Sequence, residues 1–186
     1  DGSPATGTNY VFYIEGADRN IIIDTASPVE VIRKEAPPGF RQEGIMSFEE
    51  ALKKVGLSPT DIDLIILTHL HQDHYYNAFK CINAEIVVQK RELKFARQPH
   101  PLYRGLYRQE SYEKLKRMKL RPIDGDKKID EGIKVLLTPG HSPGCQSVMI
   151  QTKEGPAIIS GFCCIRENFE PPESLRAAMP VIPPGL

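Results

Sequence analysis

The chain has 186 residues, 40% hydrophobic and 26% charged, and its 24 Lys+Arg balance 24 Asp+Glu to a formal net charge of zero. That length houses one well-cored domain rather than two, the composition excludes a disordered chain, and neutrality argues against a protein built to neutralise nucleic-acid phosphate or to sit on an anionic membrane. No apolar run approaches the roughly 18–20 residues of a spanning helix, and the first ten residues have neither the charged nor the apolar region of a signal peptide. Four cysteines with no CxxC pair make neither a disulfide scaffold nor a zinc knuckle. The expectation is a soluble cytoplasmic domain, residues 1–186, with reduced thiols.

In chain order, residues 10–14 and 21–23 read as two strands joined by a turn, the second ending at Asp24. Residues 33–44, with Pro37, Pro38 and Gly39, read as loop. Ser47 opens a helix with Glu50 as its capping-box partner, and Leu52, Val55 and Leu57 are expected on one side of it. Residues 62–67 form an apolar, β-branched run of the kind a strand buried on both faces shows. Residues 86–88 give a further strand. The stretch 90–121 reads as helical and basic, with eleven Lys/Arg against Glu92, Glu110 and Glu113. Its plainer reading is the solvated face of a helix; the alternative is a cap over a site that attracts an anionic substrate. Residues 129–137, 147–150 and 157–160 read as strands, and the tail 170–186 is too rich in proline for a long helix or a central strand. Alternating strands and helices indicate a layered α/β domain.

Of five histidines, His69, His71 and His74 fall within six residues, with Asp73 among them, directly after a buried strand. At the end of a strand, His69 and His71 at i and i+2 can face one side, and Asp73 and His74 come round on the next turn. Imidazole and carboxylate suit a borderline cation such as zinc. His141 lies in Thr138-Pro139-Gly140-His141-Ser142-Pro143-Gly144, where Pro and Gly hold a fixed loop after another strand. As a third nitrogen beside His69 and His71 it leaves the fourth position of a tetrahedral metal for water, the arrangement of catalytic rather than structural zinc. His100, between two prolines, reads as a surface loop histidine; the alternative is that it reaches the site from a lid. Tyr75 and Tyr76 read as packing residues, and Tyr103, Tyr107 and Tyr112 as the wall of a pocket or a dimer contact.

His69-x-His71-x-Asp73-His74, the later Gly-His loop and the strand-ending Ile23-Asp24-Thr25 together resemble the metallo-β-lactamase superfamily over nearly the whole chain. The resemblance implies an αββα four-layer sandwich with metals at one edge of the two sheets. It assigns His69, His71 and His141 to a first metal and Asp73 and His74 to a second, with Asp24 orienting ligands through hydrogen bonds. The stretch 161–169 is most similar to the N-acyl-homoserine lactonase branch. Phe162 stands where the family places an aspartate that bridges both metals, and Ile165 where lactonases place a tyrosine. A final family histidine has no counterpart before Leu186, so the chain is expected to be shorter than the family's domain. Cys163 or Cys164 could complete the depleted second site as thiolate; the bland reading is two small buried residues.

The expected function is a zinc-dependent hydrolase, other divalent metals remaining open, with one occupied metal site and a second partial or empty. Its substrate would be a small-molecule carboxyl ester, in the first place a lactone of the N-acyl-homoserine lactone type, with Asp73 as the catalytic carboxylate. A thioester hydrolase of the glyoxalase II type is the alternative enzyme. A degenerate member that binds metal or ligand without turnover is the alternative from another class. No nucleic-acid or membrane partner is expected, and a homodimer is left open.

Overall fold

The computed structural model describes residues 10–35 and 46–161. Phe162, Cys163, Cys164, Ile165, the proline-rich tail and residues 36–44 of the expected loop lie outside the described residues.

The run Ile21-Ile22-Ile23 explains the architecture by itself. Successive strand residues point to opposite faces, so a strand apolar at every position must be covered on both. Ile21 and Ile23 enter one core and Ile22 the other, all three fully buried, each worth roughly 1.5–3 kcal/mol of apolar transfer. The same division recurs in Leu64, Ile65 and Ile66.

These residues belong to a five-stranded sheet ordered β1-β2-β3-β4-β5, with β1 Phe12–Ile14, β2 Ile21–Ile23, β3 Leu64–Ile66, β4 Glu85–Gln89 and β5 Lys119–Ile123. β1 runs antiparallel to β2, and the remaining neighbours are parallel. The second sheet is an antiparallel meander of β6 Lys127–Asp130, β7 Ile133–Leu137, β8 Gln146–Thr152 and β9 Gly155–Ile159. Between the sheets lie Ile21, Ile23, Leu64, Ile66 and Val87 from the first and Ile129, Ile133, Val135 and Val148 from the second sheet. The outer face of the first sheet is covered by helices α2 Phe48–Lys53, α3 Gln72–Tyr75, α4 Lys90–Arg97 and α5 Gln109–Leu115, which bury Phe48, Leu52, Tyr75, Ala96, Tyr112 and Leu115 against Ile22, Ile65, Ile86 and Val88. Helix α1 is Val29–Glu35. Among the described residues every helix precedes β5, and Ile158 on the last strand is 61% exposed. Three layers of the four-layer sandwich are thus described.

Four expectations change. Residues 33–35 close helix α1 instead of opening a loop. Val55 is 46% exposed because α2 stops at Lys53, before its turn would bring Val55 inward; Ser47 and Glu50 do form the capping box that starts it. The stretch 129–137 is a hairpin broken at Glu131 and Gly132. Helix ends well before residue 121: residues 119–121 belong to β5, which among the described residues is an edge strand that pairs only with β4. Its cationic side chains alternate with Leu120 and its proline is tolerated because one edge is unpaired. Cys81 and Cys145 are buried, and burial pushes the Cys81 thiol up to about 12. No helix among the described residues is long and apolar enough to cross a membrane.

Candidate metal centre

The carboxyl ends of β2 and β3 and the loop between β7 and β8 open on the same edge of the sandwich, where open α/β sheets generally gather their ligands. Asp24 follows β2, Thr68 to His71 follow β3, and His74 sits on the short helix α3. The two sheets are stitched together there by buried glutamines. Gln146 donates from its backbone to the Thr68 carbonyl at 2.9 Å and from Nε2 to the Leu67 carbonyl at 2.7 Å. Gln89 Nε2 donates to Gln146 Oε1 at 2.8 Å. Gly161 completes the seam: a Cβ there would stand 2.5 Å from the Gln146 carbonyl oxygen and 2.7 Å from Thr68 Cβ.

His69, His71 and His141 each offer one ring nitrogen, and the three nitrogens lie within 4.8 Å of one another. The His71 ring stands edge-on to His69 and to His141, with centroids 4.6 Å apart in both cases. His69 is fully buried and His71 nearly so, yet Nε2 of each has no hydrogen-bond partner among the described residues. A buried polar atom without a partner costs about 1–3 kcal/mol. Two such atoms facing a third imidazole make a donor set that fits a divalent cation of the zinc type. Burial, followed by the neighbouring imidazoles, pushes His71 down to about 3 and His69 well below the ordinary histidine value; His141 is lowered by burial and by His74. All three are therefore neutral at pH 7, the form that ligates.

Asp24 sets the proton positions behind this cluster. Its Oδ1 accepts the Thr68 amide at 2.8 Å, and its Oδ2 accepts the Thr68 hydroxyl at 2.7 Å and His74 Nδ1 at 2.8 Å. Because the Thr68 hydroxyl spends its one proton on Asp24, its oxygen must accept from His69 Nδ1, 3.1 Å away. That fixes the His69 tautomer and leaves Nε2 as a bare lone pair turned to the cluster. Asp24 adopts a left-handed backbone with φ of 54°, a conformation aspartate tolerates better than most residues. Asn77 supports it by donating from Nδ2 to the Thr25 and Ala26 carbonyls.

Asp73 and His74 stand one step outside the three-nitrogen cluster, on α3. His74 Nε2 is 3.5 Å from Asp73 Oδ2, and the Asp73 side chain is 45% exposed. Burial works against the His74 imidazolium, but the bond to Asp24 and the charges of Asp24 and Asp73 outweigh it and raise its pKa.

One residue at this centre gave no signal in the sequence, and it is met there by Tyr107, which the sequence offered as a pocket wall. Glu92, on α4, is fully buried. Its Oε1 accepts from the Leu70 amide at 3.0 Å and the Tyr107 hydroxyl at 2.8 Å. Its Oε2 accepts from the Ser142 hydroxyl at 2.7 Å and the Gly144 amide at 2.9 Å. Tyr107 lies edge-on to His71 at 4.9 Å; burial, then the adjacent Glu92 charge, hold its hydroxyl protonated far above the usual tyrosine range, so it remains a donor to Glu92. The other singled-out side chains stay away from the cluster. Tyr75 is core, its hydroxyl pushed up to about 12 by burial. Tyr76 packs on Phe79, Tyr103 on Phe95, and Tyr112 is buried under the first sheet. His100 is exposed and accepts the Leu102 amide at the start of a 3-10 turn. The segment carrying Tyr107 does abut the metal motif, since the Gln72 amide donates to the Leu106 carbonyl. An open depression of about 610 Å³ lies beside it, lined in part by Arg97, Arg104, Tyr107 and Arg108.

Gly144 is required by this packing. A Cβ there would lie 2.3 Å from the Glu92 backbone nitrogen and 2.6 Å from its Cα, and a helix backbone cannot give way. Gly144→Ala is expected to destabilise the fold by about 1–3 kcal/mol through overpacking, read as a lower urea midpoint at unchanged slope; an unaltered midpoint would mean that the His141 loop is free to slide.

The sequence model of the metallo-beta-lactamase superfamily matches residues 5–161. An N-acyl homoserine lactonase from a Bacillus species is 30% identical over 178 residues, covering 87% of this chain and 66% of that protein. The N-acyl homoserine lactonase AttM of Azorhizobium caulinodans is 30% identical over 115 residues, 59% of this chain and 44% of its own length. Among solved structures, an N-acyl homoserine lactone hydrolase with the product N-hexanoyl-L-homoserine at its catalytic metal centre matches with a TM-score of 0.70 at 31% identity, covering 87% of this chain and 66% of that one. The chain thus spans just under two thirds of the Bacillus relative and of that solved hydrolase.

Proposed function

Because the chain belongs to the metallo-beta-lactamase superfamily, we propose that it is a metal-dependent hydrolase of a cyclic carboxylic ester, with an N-acyl-homoserine lactone as the substrate class and zinc as the metal. The observation that carries this reading is the convergence of three imidazoles, each offering one nitrogen within 4.8 Å of the others, with Nε2 of the two buried rings unpartnered among the described residues. Relatives named as N-acyl homoserine lactonases support the choice of ester.

His69, His71 and His141 would hold the cation, which when bound supplies Lewis acidity to an ester carbonyl and makes nearby water more acidic. Asp73 is the exposed carboxylate beside the cluster. It accepts a proton from water as oxygen adds to the carbonyl carbon, and returns that proton to the ring oxygen when the ester C–O bond breaks, giving the hydroxy acid. Tyr107 is not that acid, since its proton is committed to Glu92; it walls His71 from solvent. Asp73 and His74, with Cys163 or Cys164, are the candidates for a second cation. Phe162, in place of a bridging carboxylate, favours one metal per chain and motivates the second reading, a member that binds metal without turnover.

The test combines metal-to-protein stoichiometry with a panel of N-acyl-homoserine lactone, S-acyl-glutathione thioester and phosphodiester substrates. One zinc per chain and chelator-sensitive lactone opening are expected. Preference for the thioester would replace the substrate class, and tight zinc with no turnover would leave the binding reading.

A further inference from the structure

The three candidate ligands come from two loops far apart in sequence, and something must set one loop against the other to within a few tenths of an ångström. The backbone ladder does this only in part, since β3 and β7 lie in different sheets. We propose that Glu92 is the positioning residue that sets the register of all three imidazoles, acting as one buried clamp on both loops; this rests on the metal reading above.

The placement of its four donors is what carries the inference. The Leu70 amide belongs to the residue between His69 and His71, so holding it fixes the peptide from which both rings depart. Ser142 directly follows His141, and Gly144 closes the same turn, so the second carboxylate oxygen fixes the loop that carries the third ring. The remaining donor is Tyr107, whose ring lies against His71. Each oxygen accepts two bonds, which uses its full acceptor capacity. A carboxylate that served only to stabilise α4 would not need donors on three separate segments that each touch a different ligand. Gly144 adds a second observation: it is packed against the Glu92 backbone too closely to admit a side chain, so the clamp also sets how closely the two segments approach. Glu92 itself is fully buried, so its effect must pass through the groups it holds.

Glu92→Gln tests the assignment. The amide keeps one oxygen but turns a donor toward two groups that donate, so one loop is released. Zinc affinity, measured on the full chain by chelator competition and counted per folded molecule, is expected to fall about 10–100-fold. The Co(II)-loaded variant is expected to lose the intense visible absorption of a four-coordinate site. A merely structural Glu92 would lower the melting temperature and leave both readouts of the folded fraction unchanged, and that result overturns the proposal. Should Glu92→Gln not fold, Ser142→Ala carries the same question, because it removes one donor from the His141 side and nothing from the carboxylate. It is expected to weaken zinc several-fold, and wild-type affinity would overturn the clamp. Failure of the metal reading itself would be seen first and separately, as absence of tight stoichiometric zinc in the wild-type chain.

Discussion

His71→Ala is expected to cost the protein its metal and about a thousand-fold or more of any hydrolytic rate, while leaving the fold standing. The asymmetry follows from what the ring does in the metal-free protein. Its Nε2 is buried and has no partner among the described residues, so removing it orphans none of them and relieves a desolvated polar atom. What is lost is packing against Tyr107 and the neighbouring rings, offset in part by that relief. The melting temperature of the metal-free variant is expected within about 5 °C of wild type, on roughly 2–4 °C per kcal/mol for a chain of this size. Metal analysis after dialysis against zinc and a calorimetric scan decide it. A variant that kept one tightly bound zinc would remove His71 from the ligand set and with it the three-nitrogen site. A variant that unfolded would show instead that the ring is held by contacts its geometry does not display.

His69, His71 and His141 were legible in the sequence because their signal is chemical and local. Three imidazoles within six residues, just past a β-branched run, have few other uses, and a histidine between Pro-Gly and Ser-Pro-Gly can do little but face outward from a fixed loop. The two-sided cores were legible for a similar reason: Ile21-Ile22-Ile23 and residues 64–66 carry no polar position to turn toward water. Glu92 was hidden because one glutamate among the cations of residues 90–121 is indistinguishable from any solvated helix face. Only the tertiary fold shows that it points inward and meets four donors. Gln89 and Gln146 were hidden in the same way, since a buried glutamine is specified by its partners across the two sheets rather than by its own strand. The strand β5 was lost to its charges. Lys119, Arg121 and Pro122 suit an edge strand but read locally as the end of a basic helix, and what decides is pairing with Glu85–Gln89. The left-handed backbone at Asp24 and Ala26 had no sequence signal at all, because neither residue is glycine.

Asp24 provides the other large effect, and here two substitutions should separate fold from chemistry. Asp24→Ala removes a buried carboxylate that three donors address, and places an alanine at φ of 54°. It should cost about 3–5 kcal/mol, which is about 10 °C or more of melting temperature. Asp24→Asn keeps size and one acceptor. The Thr68 amide must still be met by the oxygen, so the new NH2 group replaces Oδ2 and faces the Thr68 hydroxyl and His74 Nδ1 as a donor. The hydroxyl then accepts from Asn and is free to give its proton to His69 Nδ1, 3.1 Å away. That transfers the His69 ring proton to Nε2, the nitrogen turned toward the cluster, and a protonated nitrogen cannot ligate. The fold should lose less than in the alanine variant, yet zinc affinity should fall about 10–100-fold. Long-range nitrogen–proton NMR of the imidazoles reads the tautomer directly. Finding the proton of His69 still on Nδ1 in Asp24→Asn, with undiminished zinc affinity, would show that the relay through Thr68 does not govern the ring. Finding it on Nε2 would tie a carboxylate after β2 to the availability of a lone pair after β3 through a single hydroxyl proton.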